Sequence, residues 1–250
     1  MTSDKIVLSK TFIENLLKPI NRLTESCVLR IENDNIYSLC TSSNNVVILY
    51  VSGKLKQSVD ENVRLNLIDI KRFLCGLDCL DGENFSLEYL GNNIKCESVD
   101  DQENTTFFKY HLVDDTVIPV SPVNIQKMSQ LPFDTEFEIT PDRQKRIISA
   151  YTFTSAVPKI YLYTKDKSVH AELNDRQVQN IDNMTLKISD SFIGSDIEDS
   201  IPVNMEIFKS LTSSKQNIKV KINNQYKVLI FQNTERDDIV IKYITSALVK

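Results

Sequence analysis

Glycine is scarce in this chain. Only five occur in 250 residues, and none belongs to a run that could cradle a phosphate. The nucleotide-binding loops that depend on such a run are therefore excluded. Histidine is scarcer still. His111 and His170 are the two in the chain, and neither sits at the spacing of a metal-ligand pair. No Ser/His/Asp or Cys/His arrangement stands out, so nucleophilic catalysis finds no support. The acid pairs Asp100-Asp101, Asp114-Asp115 and Asp237-Asp238 fall in expected turns, where solvation accounts for them. The five cysteines (Cys27, Cys40, Cys75, Cys79 and Cys96) are odd in number, lie in the first half and form no Cys-x-x-Cys pair. They read as small core residues in a reducing compartment. Cys75 and Cys79 are four apart on an expected helix, but without a histidine at ligand spacing no metal site is read there. No cofactor is implied. No apolar run reaches transmembrane length, and Met1 to Lys10 lacks the apolar core of a secretion signal. The expectation is a non-enzymatic protein with no membrane partner, located in the cytoplasm (the host cytoplasm if the chain is viral).

What is present is a repeat. Apolar residues make up 41% of the chain, enough for one large or two modest cores. Their pattern reads four times as a strand, a short helix and three alternating strands. The first unit has a strand at Lys5–Ser9 and a helix over Thr11–Ile20 burying Phe12, Ile13, Leu16, Leu17 and Ile20. Strands follow near Cys27–Glu32, Ile36–Thr41 and Val46–Val51. The second opens at Val63–Leu67, uses Asp69 as a cap and buries Ile70, Phe73, Leu74 and Leu77. Its strands fall at Phe85–Leu90, Ile94–Ser98 and Thr106–Val113. The third opens at Thr135–Ile139. Thr140-Pro141 then starts a helix, with a capping hydroxyl ahead of proline at the first helical position and Ile147, Ile148 and Tyr151 as its buried stripe. Strands are expected at Lys159–Thr164, Ser168–Leu173 and Met184–Ser189. The fourth opens at Ile201–Val203, caps a helix with Asn204 and buries Met205, Phe208 and Leu211. Strands at Ile218–Ile222, Tyr226–Phe231 and Ile239–Ile244 close it. Asp114 to Phe133 carries Pro119, Pro122 and Pro132 without a period and reads as a linker. Asp190 to Ser200 is expected to be an acidic surface loop.

The net charge is −5, which by itself argues against nucleic-acid binding. Its distribution argues the other way. The four expected helices carry a net +5, leaving −10 on the rest of the chain. Lys18 and Arg22 lie four apart, on a stripe continued by Thr11 and Asn15, and Arg143 and Arg146 lie three apart. Both stripes fall opposite the apolar faces. If all four helices packed on one side of a continuous sheet, their outer faces would attract phosphates without reading bases. The acidic remainder would repel DNA and orient it. An ordinary solvated helix face would also carry lysine and arginine, so the charge pattern needs the repeat beside it.

Four such units with basic helices resemble the sliding-clamp family, most of all the trimeric polymerase clamps of T4-like bacteriophages. The stretch from Arg64 to Cys96, RLNLIDIKRFLCGLDCLDGENFSLEYLGNNIKC, carries the likeness best. It runs strand, helix with a central Phe-Leu, Asp-Gly turn, strand, Gly-Asn turn and strand. The neutral second helix and the long loop at Asp190–Ser200 depart from the pattern. The resemblance implies an α+β fold of two similar domains, 1–116 and 135–250, joined by a linker at 117–134. Each domain would hold two strand-helix-three-strand units, with helices on one face of curved antiparallel sheets. It implies a homotrimeric ring around duplex DNA, bound independently of sequence, with a DNA polymerase and a clamp loader as partners. The DNA-facing residues would be Lys10, Lys18, Arg22, Lys71, Arg72, Arg143, Lys145, Arg146, Lys209 and Lys215. Subunits would join by strand edges at Thr105–Val113 and Met184–Asp190, through Phe107, Phe108, Tyr110, Leu186 and Ile188. A core role for those aromatics is equally open. A pocket for partner peptides would draw on Ile118, Val120 and Leu131 with Tyr243, Ala247 and Leu248. A monomeric β-rich replication accessory or virion structural protein remains the alternative reading of the same strands.

Overall fold

The computed structural model describes residues 5–119, 121, 123–154, 157–176, 178, 182–211, 216–236 and 238–246, without the side chains of 60, 61, 126, 129 and 234–236. Within these residues the chain forms two compact units. The first comprises 1–43, 49–121 and 236–240, and the second 44–48, 122–235 and 241–250.

In the first unit β1 (Lys5–Ser9) leads into α1 (Lys10–Asn21). The Ser9 hydroxyl caps α1 by accepting from the Phe12 N–H at 3.1 Å. The five apolar residues expected on the inner face are buried, as is Pro19. Next comes β2 (Cys27–Thr41), which doubles back at Asn33, where φ is 54°. The Ser38 hydroxyl donating to the Val28 carbonyl at 2.9 Å ties the two arms. The two strands expected here are thus arms of one element. The strands expected at Val46–Val51 and Val63–Leu67 are likewise both contained in β3 (Val47–Leu67), which runs 21 residues. α2 (Ile70–Asp78) starts where Asp69 accepts from the Arg72 N–H at 2.8 Å. β4 (Asn84–Tyr89), β5 (Asn93–Val99) and β6 (Thr105–His111) follow. They form an antiparallel sheet in the order β1-β4-β5-β6. Gly82 and Gly91, at φ 64° and 81°, make the turns on either side of β4. α1 packs beside α2.

In the second unit the expected linker contains α3 (Ile125–Ser129), a short helix capped by Asn124, whose side chain accepts from the Lys127 N–H at 3.1 Å. β7 (Thr135–Ile139) leads into α4 (Pro141–Phe153). The expected hydroxyl cap is not made, since the Thr140 side chain accepts no bond from the helix. Proline at the first position already removes one orphan N–H. The buried stripe also differs from expectation: Gln144, Ile147 and Ala150 face inward, and Ile148 and Tyr151 are only half-buried. Buried Gln144 is held by donating to the Ile139 and Gln216 carbonyls at 3.2 and 2.9 Å.

β8 (Lys159–Lys165), β9 (Ser168–Leu173), β10 (Met184–Ser189), β11 (Ile193–Gly194) and β12 (Ile201–Asn204) precede α5 (Met205–Leu211). β13 (Ile218–Asn223), β14 (Val228–Arg236) and β15 (Ile239–Ser246) complete the chain. One sheet runs β10-β9-β8-β12 and another row runs β11-β7-β13-β14-β15. The Thr245 hydroxyl donates to the Val46 carbonyl at 3.0 Å, which ties 44–48 into this unit. α4 packs beside α5. The loop expected at Asp190–Ser200 is therefore interrupted by a strand, with Ile193 opposite Glu136 and Gly194 opposite Thr135. Gly194 has φ 95°, and a Cβ there would meet the Asp134 carbonyl oxygen at 1.9 Å, so only glycine permits this approach.

Candidate nucleic-acid interface

Each unit carries a pair of helices whose inner faces are apolar and whose outer faces hold the cations. In α1, Lys18 is exposed and pairs with Glu14, one turn back. Lys10 turns its ammonium onto the Leu80 carbonyl just beyond α2 and is half-buried. Arg22, the C-cap residue, is exposed. In α2, Lys71 and Arg72 are exposed, and the Arg72 guanidinium lies 5.0 Å from the Tyr110 ring centroid.

In the second unit, Lys145 and Arg146 of α4 are exposed and make no ion pair among the described residues. Arg143 donates to Asp190 just past β10. The Asp190 carboxyl is held below its ordinary range by hydrogen bonds from Lys187 and then Arg143. Lys209 of α5 is exposed, with its ammonium 4.5 Å from the Tyr151 ring centroid. Lys215 lies outside the described residues. Within each unit most of the helix cations are exposed, while Arg72 and Arg143 reach back to groups on or beside the sheets. The structure also shows counter-charges that sequence reading missed. The Glu14–Lys18 spacing was readable, whereas the Arg143–Asp190 bond joins residues 47 apart and gave no local signal.

The other sequence-derived residues divide. Phe107 on β6 is 55% exposed, with the Lys95 ammonium 4.8 Å from its ring centroid. Phe108 is half-buried against Phe73 at a ring separation of 5.9 Å, edge to face. Tyr110 is buried. Its hydroxyl accepts from the Asp69 N–H at 2.9 Å and donates to the Asp69 carbonyl at 3.0 Å. It therefore fixes the start of α2. Leu186 on β10 is half-buried and Ile188 is buried in its own unit. Ile118 and Tyr243 are each buried, and Leu131 is half-buried. Val120, Ala247 and Leu248 lie outside the described residues. β6 and β10 each end their sheet, so each offers one outer edge without a strand partner among the described residues.

This arrangement suits weak contact with a polyanion. Exposed ammonium and guanidinium groups on long stems can meet phosphates without reading base edges. Among the described residues no three metal-ligating side chains come together and no helix is long and apolar enough to cross a membrane.

Two strand-helix-three-strand repeats per unit, with paired helices over antiparallel sheets, define the α+β DNA-clamp fold. Three solved sliding-clamp structures share it along nearly their whole length. The proliferating cellular nuclear antigen (PCNA) of Entamoeba histolytica aligns with a TM-score of 0.75 at 14% identity, covering 100% of both chains. PCNA of A. fulgidus, solved with the C-terminal region of FEN-1 bound, aligns at 0.74 and 12% identity over 98% of each chain. PCNA of Thermococcus kodakaraensis aligns at 0.72 and 15% identity over 97% of this chain and 99% of that one. No protein-family model and no curated protein matches the sequence. At these identities the likeness establishes the fold.

Proposed function

We propose that this chain is a sliding clamp, a non-enzymatic ring that encircles duplex DNA and tethers a replicative polymerase. The observation that carries the reading is the full-length fold likeness to three PCNA structures, together with cations on the outward faces of α1, α2, α4 and α5. Domains 1–116 and 135–250, joined by 117–134, supply four repeats per subunit, so three subunits supply twelve. The trimer closes where the β6 edge of one subunit meets the β10 edge of the next, with Phe107 and Leu186 as contacts. Buried Tyr110 and Ile188 support the two strands from behind. A ring linked topologically to DNA needs no tight contact. Weak, water-mediated phosphate contacts from Lys18, Arg22, Lys71, Arg72, Lys145, Arg146 and Lys209 hold the duplex and still let it slide. Tethering raises the polymerase's effective concentration at the primer end. A clamp loader opens the ring, and partner peptides dock beside the linker near Ile118 and Leu131. The T4-like phage clamps are the branch that the Arg64–Cys96 stretch resembles most.

The test is topological. Light scattering should give three times the chain mass, and loaded protein should stay on closed circular DNA but run off within minutes of linearisation. Equal retention on circular and linear DNA, or a monomer even with DNA and loader present, overturns the reading.

A further inference from the structure

We propose that the outer edge of β1 in the first unit docks an extended apolar–acidic segment of a partner protein. The proposal is independent of the DNA-binding reading. β1 ends its sheet. Its Lys5 carbonyl points outward, because it accepts from Gln57 Nε2 at 3.1 Å. Backbone groups alternate along a strand, so the N–H and C=O of Val7 lie on the same outer edge. Among the described residues no group from outside β4 bonds to Val7. The Val7 side chain is 57% exposed. Beside this edge lies a cleft of about 300 Å³, lined by Val7, Leu8, Phe12 and Leu55 and rimmed by Lys56 and Asp238. That is the low end for a ligand pocket and room for one or two side chains.

The second unit shows what such an edge accepts. β7 holds the place of β1 in the repeat, ahead of α4 as β1 is ahead of α1. Its outer edge is filled by the chain's own β11, and Ser195 N–H donates to the Asp134 carbonyl at 2.8 Å. The Thr135 hydroxyl donates to the Ser195 carbonyl at 2.7 Å. The segment that does this, Ser191 to Ser200, reads SFIGSDIEDS: Phe192 and Ile193 come first, and the acids Asp196, Glu198 and Asp199 follow with Ile197 among them. In the first unit, residues 54–57 run within β3; Leu55 and Lys56 line the cleft beside Val7, and Gln57 donates the one hydrogen bond from this stretch to β1 found among the described residues. Among the described residues no strand pairs with this edge, which lies beside Lys56 as well as Asp238. Lys56 is exposed and makes no ion pair among the described residues, so it offers an acidic occupant a partner. Strand addition supplies main-chain hydrogen bonds, the apolar cleft supplies a side-chain seat, and Lys56 selects for acid.

The experiment titrates full-length, methyl-labelled protein with the synthetic peptide SFIGSDIEDS and follows methyl chemical shifts. Saturable shifts of the Val7 and Leu55 methyls are expected. Lys56→Glu, a surface change that leaves the fold intact, should weaken binding about fivefold. A peptide with proline in place of its first isoleucine lacks one N–H and should lose most of its binding. Absence of shifts at millimolar peptide overturns the proposal. So do shifts confined to residues around β7, or binding indifferent to both changes. Shifts of the same methyls on concentrating the protein alone would make a second copy the occupant, which also overturns it.

Discussion

The two units repeat one plan but differ in how much of their surface chemistry is already engaged. In the first, Lys10 is bonded to the Leu80 carbonyl, Lys18 is paired with Glu14, and Arg72 rests on Tyr110. In the second, Arg143 is bonded to Asp190 and Lys209 rests on Tyr151, but Lys145 and Arg146 project from α4 without an ion pair among the described residues. The strand edges show the reverse. The second unit has closed the edge of β7 with β11, while among the described residues no strand pairs with the outer edge of β1. A repeat therefore conserves the core and lets the surface diverge. Burial constrains the inner faces in both copies, whereas an exposed cation or edge costs little either way.

The largest effect belongs to the cores. Phe73 meets both Phe108 and Tyr110 edge to face, at 5.9 and 5.4 Å, while Phe208 meets Phe231 at 5.4 Å. Denaturant melts should show Phe73→Ala costing about 3–5 kcal/mol, with Phe208→Ala at the lower end of that range. Equal losses would mean that the second aromatic contact adds nothing. Gly194→Val comes next. It should strip β11 from β7 or strain it by about 1–3 kcal/mol, and hydrogen exchange at the Ser195 amide should accelerate. That change would give the second unit the open edge of the first. If the Ser195 amide stayed protected, the close approach at Asp134 would not be what demands glycine.

Charge reversal tests the helices. Lys145→Glu with Arg146→Glu should lower the salt dependence of DNA retention by about two phosphate contacts, and Lys18→Glu by at most about one. Equal effects would erase the distinction between engaged and open cations. Asp190→Asn should raise DNA retention slightly, about twofold, by releasing Arg143 and Lys187. The Asp190 carboxyl is depressed, so its pairing is fully present above the ordinary carboxylate range. The pairing is lost only as pH falls through the lowered value. Retention measured at neutral pH thus reports the paired state. The smallest perturbation is thiol labelling at pH 8. Exposed Cys75 and Cys79 on α2 and its cap should react first, and bound DNA should slow them. Burial pushes Cys40 up to about 11 and Cys96 up to about 12, so these should react only on unfolding. Fast labelling of all five cysteines would show that the first unit's core opens readily.

Much of the fold was legible because its signals are local. The Asp69–Arg72 cap spans three residues, and the buried stripe of α1 repeats at helical spacing. The phase of α4 was misread because Gln144, a polar residue, sits inside it, and its bonds go to Ile139 and distant Gln216. β11 hid in an acidic stretch too short to show a period. Of the candidate interface, the positions of the cations could be read from periodicity, but their engagement could not.

By itself the sequence determined the four-fold repeat, the type of nearly every element and, outside α4, most of the helix faces that are buried. Those follow from backbone periodicity and apolar spacing within a dozen residues. Only the tertiary structure decided which cations are bound and which are open, and which strand edges are closed. Lys10 finds its acceptor 70 residues away and Arg143 finds its carboxylate 47 residues away. Such partners are set by how the chain packs, and local spacing carries no record of them.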